Sequence, residues 1–252
     1  MAKRNRRLWI FDIEGTLTGP RGRGMQASVI TGLFYAMRSG SLVGVNTSRE
    51  VRFARAVHQL FDMNGPVIAE SGCGWWQPSM GELSRGVCLH RLSDEDHQQI
   101  RQAVIEANLN DKVWEDWRKE YVSTWYPYAF DQKEKTNVET VKQLMEKVTS
   151  PLPQVAVSLG FEAVNVAPKG VDKGTGLTEV CGELEMPLSA VGYVGESWAD
   201  WPALAQVLVA GGRGVMMGKD EDLRQQVVHM GGEVLDEGSY GLVKWLTEEF
   251  SE

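Results

Sequence analysis

Cysteine is scarce in this chain, and long apolar runs are missing. The 252 residues include three cysteines, which are widely spaced: Cys73, Cys88 and Cys181. An odd and scattered set is not typical of a disulfide framework or of a cysteine-based metal site, so we expect a reducing, cytoplasmic setting. No stretch is long enough to span a bilayer as an apolar helix, and we therefore expect no membrane partner.

Positive charge is also in deficit. Lys and Arg number 26 against 34 Asp and Glu, which gives a formal net charge of -8. Because no long basic stripe interrupts that balance, the composition disfavours a nucleic-acid partner. The one dense basic run, at residues 3–7, precedes only Leu8–Phe11 before Asp12. That apolar stretch is too short for the core of a signal peptide.

The first candidate site follows this apolar stretch. Leu8–Phe11 ends abruptly at Asp12, and Glu14, Gly15 and Thr16 come next. The pattern predicts a buried strand that delivers a carboxylate to a loop. Open α/β sheets bind ligands at the carboxyl ends of their strands, and two carboxylates at this spacing can face one cavity there. Such a pair favours the roles of nucleophile and proton carrier.

Two later segments are suited to an anion. Leu42–Val45 is followed by Asn-Thr-Ser-Arg at 46–49 and then by a helical pattern. Hydroxyl groups at such a strand-to-helix junction bind anions, although a plain Ser or Thr helix cap explains the same pattern. Lys169 and Lys173 lie in a Gly-rich turn before an apolar helix. A solvated helix start is one explanation, but lysine opposes the dipole at a helix N-terminus, which favours a partner anion.

A fourth segment carries a second pair of acids. The apolar run Val191–Val194 leads into a loop that contains Glu196 and Asp200. Carboxylates after a strand suit a hard divalent cation, which prefers oxygen ligands; magnesium also retains several waters. The histidines show no ligand spacing, and we expect surface or structural roles for all four: His58, His90, His97 and His229.

The order of these segments resembles the four motifs of the haloacid dehalogenase (HAD) superfamily of phosphohydrolases. Pro66–Gly72 and the Gly-Val-x-Lys-Gly pattern at 170–174 are similar to its Cof-like, sugar-phosphatase subgroup. The resemblance implies an α/β fold, with a Rossmann-like parallel-sheet HAD core and an inserted α/β cap domain. We expect the core at 1–81 and 167–252 and the cap at 82–166, with one continuous domain as the alternative.

The resemblance also implies roles for individual residues. Asp12 is the nucleophile, Glu14 handles the proton, and Thr47 and Lys173 complete the catalytic set. The expected substrate-binding residues are Gly15, Thr47, Ser48, Arg49 and Lys173. The implied cofactor is magnesium, with Asp12, Glu14 through its carbonyl, Glu196 and Asp200 as ligands. For Asp200 an alternative role is to orient Lys173.

Two acids depart from the usual motifs of the family. Glu14 replaces the more common Asp, as in the Asp-Ile-Glu-Gly-Thr of the enolase-phosphatase branch, and Glu196 replaces the first Asp of the fourth motif. The expected function is magnesium-dependent hydrolysis of a small phosphorylated metabolite through an aspartyl phosphate. The alternatives are a phosphomutase or phosphotransferase, and a non-catalytic binding protein of the same fold.

The middle of the chain is rich in aromatic residues. Within a short span lie Trp75, Trp76, Trp114, Trp117, Trp125, Tyr126 and Tyr128. Trp and Tyr can stack on sugar rings, but such residues more often pack in a core. Together with the subgroup resemblance, they favour a phosphorylated sugar, polyol or glycosyl-glycerate as substrate.

Overall fold

The computed structural model describes residues 7–19, 24–77, 90–127, 138–160, 163–235 and 238–250. In chain order the strands are β1 (Leu8–Phe11), β2 (Leu42–Asn46), β3 (Val67–Ala69), β4 (Gly74–Trp76), β5 (Val113–Glu115), β6 (Ser123–Pro127), β7 (Val155–Leu159), β8 (Val164–Pro168), β9 (Val191–Gly195), β10 (Arg213–Met216) and β11 (Glu233–Val234). The helices are α1 (Ala27–Arg38), α2 (Val51–Leu60), α3 (Asp94–Glu106), α4 (Val138–Thr149), α5 (Lys173–Glu183), α6 (Trp201–Val209), α7 (Glu221–His229) and α8 (Gly238–Phe250).

Strand β1 lies at the centre of a seven-stranded sheet with the order β11-β10-β9-β1-β2-β3-β4. Its neighbours β2 and β9 run parallel to it, and the edge strand β4 pairs antiparallel with β3. All four side chains of β1 are buried. A continuous apolar run is what a central strand of a sheet covered on both faces requires.

Helices cover both faces of this sheet. Trp9 and Phe11 pack on one face with side chains of α1, α2 and α8. Leu8 and Ile10 pack on the other face with side chains of α5, α6 and α7. The alternation follows from the two-residue period of a strand.

A second, four-stranded antiparallel sheet with the order β5-β6-β8-β7 forms the cap. Helices α3 and α4 pack on it through an apolar cluster that includes Ile100, Val104, Val141 and Met145. The predicted fold class, a parallel-sheet core with an inserted α/β cap, agrees with this arrangement. None of the helices in the described ranges is long and apolar enough to cross a membrane.

The predicted domain limits can be compared with the structure only in part. The expected start of the cap at residue 82 lies outside the described residues. The expected return to the core after residue 166 falls inside β8, which pairs with cap strands as far as Pro168. Strands β4, β5 and β6 have no counterpart in the sequence analysis.

Candidate active site

The carboxyl ends of β1, β2 and β9 meet at one edge of the core sheet. In the register of these strands Phe11 faces Val45 on one side and Val194 on the other. The three following loops therefore start at the same level, and they carry Asp12, Thr47 and Glu196. The sheet topology thus brings together acids and hydroxyls that are far apart in the sequence.

Lys173, the first residue of α5, reaches two carboxylates at this edge. Its Nζ lies 2.8 Å from Oδ1 of Asp12 and 2.7 Å from Oδ1 of Asp200. The lysine side chain is 3% exposed, so both ion pairs are shielded from water. The solvated helix start considered for Lys173 is therefore wrong, because this side chain points into the protein.

Burial and neighbouring charges shift the ionisation of this group of residues. Burial raises the pKa of Asp12 to about 7; Lys173 opposes the shift and Asp200 adds to it. Burial alone would lower the pKa of Lys173, but Asp12 and Asp200 together raise it above its usual range. A permanently charged lysine beside a carboxylate is suited to hold a second anion, such as a phosphoryl group.

Both carboxylate oxygens of Asp200 are engaged by protein donors. Oδ1 accepts hydrogen bonds from Lys173 and, at 3.0 Å, from the hydroxyl of Tyr193. Oδ2 accepts from the backbone N–H groups of Glu196 and Ser197 and from the Ser197 hydroxyl, each at 3.1 Å. Of the two roles considered for Asp200, this favours orientation of Lys173 over metal ligation.

The Glu196 carboxylate lies directly over Gly15. A β-carbon built on Gly15 would be 1.7 Å from Oε2 of Glu196, and the φ of Gly15 is +71°. Burial raises the pKa of Glu196 to about 7; Asp200 and Glu14 raise it and Lys173 lowers it. The longer acid of the fourth motif thus reaches the loop of the first motif.

Glu14 and Arg49 form an ion pair across the same edge. The pair is half-buried, and the guanidinium of Arg49 also lies over the ring of Phe53, 5.2 Å from its centroid. Arg49 was expected to bind substrate; here its partner is the expected proton carrier. Thr47 is buried, and its hydroxyl accepts a hydrogen bond from the backbone of Arg49 at 3.2 Å.

The loop after β2 does not cap the following helix. Helix α2 begins at Val51, after Glu50, so the plain helix cap considered for Thr47 and Ser48 is wrong. The Ser48 hydroxyl accepts a hydrogen bond from the hydroxyl of Ser71, and its carbonyl accepts one from Nζ of Lys119 in the cap.

The donor set fits a divalent cation, although the part of the chain that the structure describes contains no group of three or more His, Cys, Asp or Glu side chains arranged to hold a metal on their own. Four carboxylates, from Asp12, Glu14, Glu196 and Asp200, face the cations Lys173 and Arg49. A bound cation would compensate the excess negative charge, and it would lower the raised pKa values of Asp12 and Glu196. Magnesium commonly takes one or two carboxylates and retains waters.

A cavity of 290 Å³ lies between the core edge and the cap. Its lining comprises Glu14, Ser48, Arg49 and Glu50 from the core and Trp114, Asp116, Arg118, Lys119, Thr124, Tyr126, Gly160, Ala163 and Asn165 from the cap. Trp114 and Tyr126 stack with their ring centroids 4.6 Å apart. Arg118 pairs with Asp116 at 2.8 Å.

The aromatic residues named in the sequence analysis lie in different parts of the structure. Trp75 and Trp76 are buried in β4 of the core sheet, and Trp125 is buried in the cap. Trp117 is 81% exposed, and Tyr128 lies outside the described residues. Only Trp114 and Tyr126, among those of this group that the structure describes, line the cavity.

Several residues near the site were not predicted. Asn46 donates a hydrogen bond from Nδ2 to the carbonyl of Lys173 at 2.9 Å and so fixes the start of α5. Tyr193 supports Asp200, and Lys119 lines the cavity. A polar residue at the end of an apolar strand was the available signal for Asn46; Lys119 has no comparable signal.

A family model described as haloacid dehalogenase-like hydrolase matches residues 84–239. The chain belongs to the haloacid dehalogenase-like hydrolases. The matched range contains Lys173, Glu196 and Asp200. Asp12 precedes the matched range and contacts it through the ion pair with Lys173.

This hydrolase is also similar to curated phosphatases in sequence and to solved structures of the same superfamily in fold. A phosphoglycolate phosphatase of Pyrobaculum aerophilum is 27% identical over 192 residues, which are 76% of this chain and 75% of the relative. The solved structure of a haloacid dehalogenase-like hydrolase from Bacteroides thetaiotaomicron has a TM-score of 0.76 at 12% identity and covers 97% of this chain and 100% of its own. A subclass IIB sugar phosphatase of the superfamily has a TM-score of 0.69 at 16% identity, with 97% and 99% covered. The family, the fold and the enzyme class predicted from the sequence, a phosphoric monoester hydrolase, are confirmed.

Proposed function

We propose that this hydrolase is a magnesium-dependent phosphatase that acts on a small phosphorylated metabolite through an aspartyl phosphate on Asp12. The observation that carries the proposal is the buried Asp12–Lys173–Asp200 ion-pair group at the edge where a cap closes a small cavity. The cation of Lys173 is placed to pair with both the nucleophile and an incoming phosphoryl group.

The proposed reaction has two steps. In the first, an oxygen of Asp12 attacks phosphorus, the phosphorus–oxygen bond of the ester breaks, and Glu14 protonates the departing oxygen. In the second, Glu14 takes a proton from water, and the resulting hydroxide attacks phosphorus. The bond to Asp12 then breaks, which releases inorganic phosphate, returns Asp12 to its carboxylate form and leaves Glu14 protonated, as it was before the first step.

The remaining residues stabilise charge and geometry. Lys173 and Thr47 compensate the negative charge on the equatorial oxygens of the phosphoryl group. The groups that would hold magnesium are the Asp12 carboxylate, the backbone carbonyl of Glu14 and the Glu196 carboxylate. The bound cation would reduce the repulsion between the phosphate ester dianion and the attacking carboxylate. Asp200 keeps Lys173 in place, and Arg49 keeps Glu14 at the mouth of the cavity.

The cavity limits the leaving group. Its 290 Å³ is at the lower end of the volumes of small-molecule sites, about 300–1,000 Å³. Lys119 and Arg118 favour a leaving group with a carboxylate, such as the glycolate named for the archaeal relative. The stacked Trp114 and Tyr126 favour a sugar or a polyol.

The test is phosphate release from p-nitrophenyl phosphate, phosphoglycolate and a panel of sugar and polyol phosphates, with magnesium and with EDTA. The variant is Asp12→Asn. Its matched control is Asp62→Asn, because Asp62 is exposed and its φ of +49° suits Asn as well as Asp. We expect magnesium-dependent turnover in the wild type and the control, and a loss of at least about 10³-fold in Asp12→Asn.

The alternatives give different results. Turnover only after addition of an acceptor sugar would indicate a phosphotransferase or phosphomutase. No turnover on any ester, together with no magnesium binding by calorimetry, would favour a binding protein. That alternative rests on the two unusual acids, Glu14 and Glu196.

A further inference from the structure

Glu70, at the end of β3, is a buried acid that the proposed reaction does not use. Its exposed fraction is 0%. Its carboxylate accepts hydrogen bonds from three consecutive backbone N–H groups of the cap, those of Glu120, Tyr121 and Val122, at 3.1, 2.7 and 3.2 Å. Burial raises the pKa of Glu70, and these N–H groups and the charge of Lys119 oppose the shift.

The backbone of Glu70 and its neighbour is bound on the other side to the loop after β2. The N–H of Glu70 donates to the carbonyl of Arg49 at 3.0 Å, and the N–H of Ser71 donates to the carbonyl of Thr47 at 3.1 Å. Both residues have positive φ, +50° and +58°. Left-handed backbone at residues other than glycine is unfavourable, and it persists where the surrounding contacts require it.

The cap segment held by Glu70 carries side chains into the cavity. This segment, residues 116–122, presents Arg118 and Lys119 to the cavity, and Nζ of Lys119 donates to the carbonyl of Ser48. Glu70 therefore connects the loop of Thr47, which its backbone contacts, with the cap segment, which its carboxylate holds and whose side chains line the cavity.

We propose that Glu70 is a positioning residue that fixes the cap segment 116–122 against the loop of Thr47, and so sets the affinity for substrates whose leaving group contacts Arg118 and Lys119. This inference rests on the proposed phosphatase function. A carboxylate accepts hydrogen bonds at both oxygens, whereas an amide of the same shape presents N–H groups at one of them. Oε2 of Glu70 accepts from all three N–H groups, and Oε1 accepts only from that of Glu120. Replacement of the carboxylate by an amide therefore removes the charge that strengthens these bonds and turns an NH2 group toward the Glu120 N–H, without a change in side-chain size.

The experiment compares wild type with Glu70→Gln, Glu70→Asp and the control Glu120→Gln. The side chain of Glu120 lies in the same segment but is exposed and pairs with Arg52 at 3.1 Å, while its N–H, which binds Glu70, is retained. Glu70→Asp keeps the charge and is shorter by one methylene, so it serves if Glu70→Gln does not fold. Hydrogen exchange of the backbone amides is measured first, because it does not depend on activity.

We expect amides 120–122 to exchange about tenfold faster in both Glu70 variants and at the wild-type rate in Glu120→Gln. In kinetics, KM is expected to rise about tenfold for the panel ester with the highest kcat/KM. For p-nitrophenyl phosphate, both kcat and kcat/KM are expected to change by less than about twofold. The activated leaving group of this ester depends little on contacts with the cap.

Wild-type exchange at residues 120–122 in folded Glu70 variants would overturn the inference. An equal loss of kcat/KM for both esters would overturn it too, because a general structural defect affects both. If the wild type hydrolyses no ester, the proposed function fails, and hydrogen exchange alone decides whether Glu70 fixes the segment.

Discussion

The carboxylate of Glu196 occupies the space that a side chain at Gly15 would need. A β-carbon at residue 15 would also lie 2.0 Å from Cδ of Glu196. The glycine of the first motif and the unusual acid of the fourth are therefore complementary, and the longer side chain is accommodated because residue 15 has none.

Gly15→Ala is expected to lower kcat/KM by at least about tenfold, because the methyl group displaces the Glu196 carboxylate. The positive φ adds about 1–2 kcal/mol of destabilisation. Gly211→Ala is the matched control: its φ is +80° and no atom lies within 4 Å of its built β-carbon. The control should lose similar stability in urea unfolding but keep its kcat/KM. Equal activity in the two variants would contradict the steric argument.

Glu196→Gln tests the proposed metal ligand. An amide is a weaker ligand for a hard cation than a carboxylate, so the magnesium concentration for half-maximal activity should rise by about tenfold or more. Calorimetric titration with magnesium chloride should show the same weakening. Glu183→Gln, an exposed acid on α5, should behave as wild type. Unchanged magnesium affinity in Glu196→Gln would remove Glu196 from the ligand set.

Asp200→Asn is expected to be the most destabilising conservative change at the site. It removes a buried charge that pairs with Lys173 and accepts backbone N–H groups, and breaking such a pair costs about 3–5 kcal/mol. Tyr193→Phe removes one hydrogen bond to the same carboxylate, at about 1 kcal/mol. Urea unfolding ranks the two variants, and a smaller loss for Asp200→Asn than for Tyr193→Phe would contradict this description of the site.

His58 makes the stability of the core depend on pH. Burial lowers its pKa from 6.5, against a hydrogen bond to the carbonyl of Gly65 and the charge of Asp62, which raise it. Because the folded protein then binds fewer protons than the unfolded chain, this contribution is present above pH 6.5. It is lost as the pH falls from there toward the folded pKa.

The check is urea unfolding at pH 7.5 and 5.5 for wild type and His58→Gln. Gln does not titrate, and its amide can still donate to Gly65. The wild type should lose more free energy of unfolding on acidification, by at most about 1.4 kcal/mol per pH unit. Parallel losses in the two proteins would show that His58 does not contribute.

Predictions from the sequence succeeded where strand order alone decides the outcome. Asp12, Thr47 and Glu196 each follow an apolar strand, and the parallel arrangement of these strands brings their ends together. Which group a given side chain contacts could be learned only from the tertiary structure. Whether Arg49 faces a ligand or Glu14 depends on which loops oppose each other, and no local pattern records that.

The cap was harder to predict for a related reason. Its helices α3 and α4 have periodic apolar positions, which a sequence pattern can reveal, whereas β5 has three residues, too few for a periodic signal. Contacts such as those between Glu70 and residues 120–122 join segments that are distant in sequence. Single-sequence patterns contain no information on such pairings.

The position of β1 between β2 and β9 determines when the site can form during synthesis. Residues 191–195 leave the ribosome long after Leu8–Phe11, yet they pair with them residue by residue. Until then one edge of an entirely apolar strand has no partner, and such an edge invites pairing with other chains. A nascent chain that stops before β9 therefore carries Asp12, the proposed nucleophile, at the end of a strand with an open edge. Completion of the C-terminal half both closes that edge and supplies Asp200.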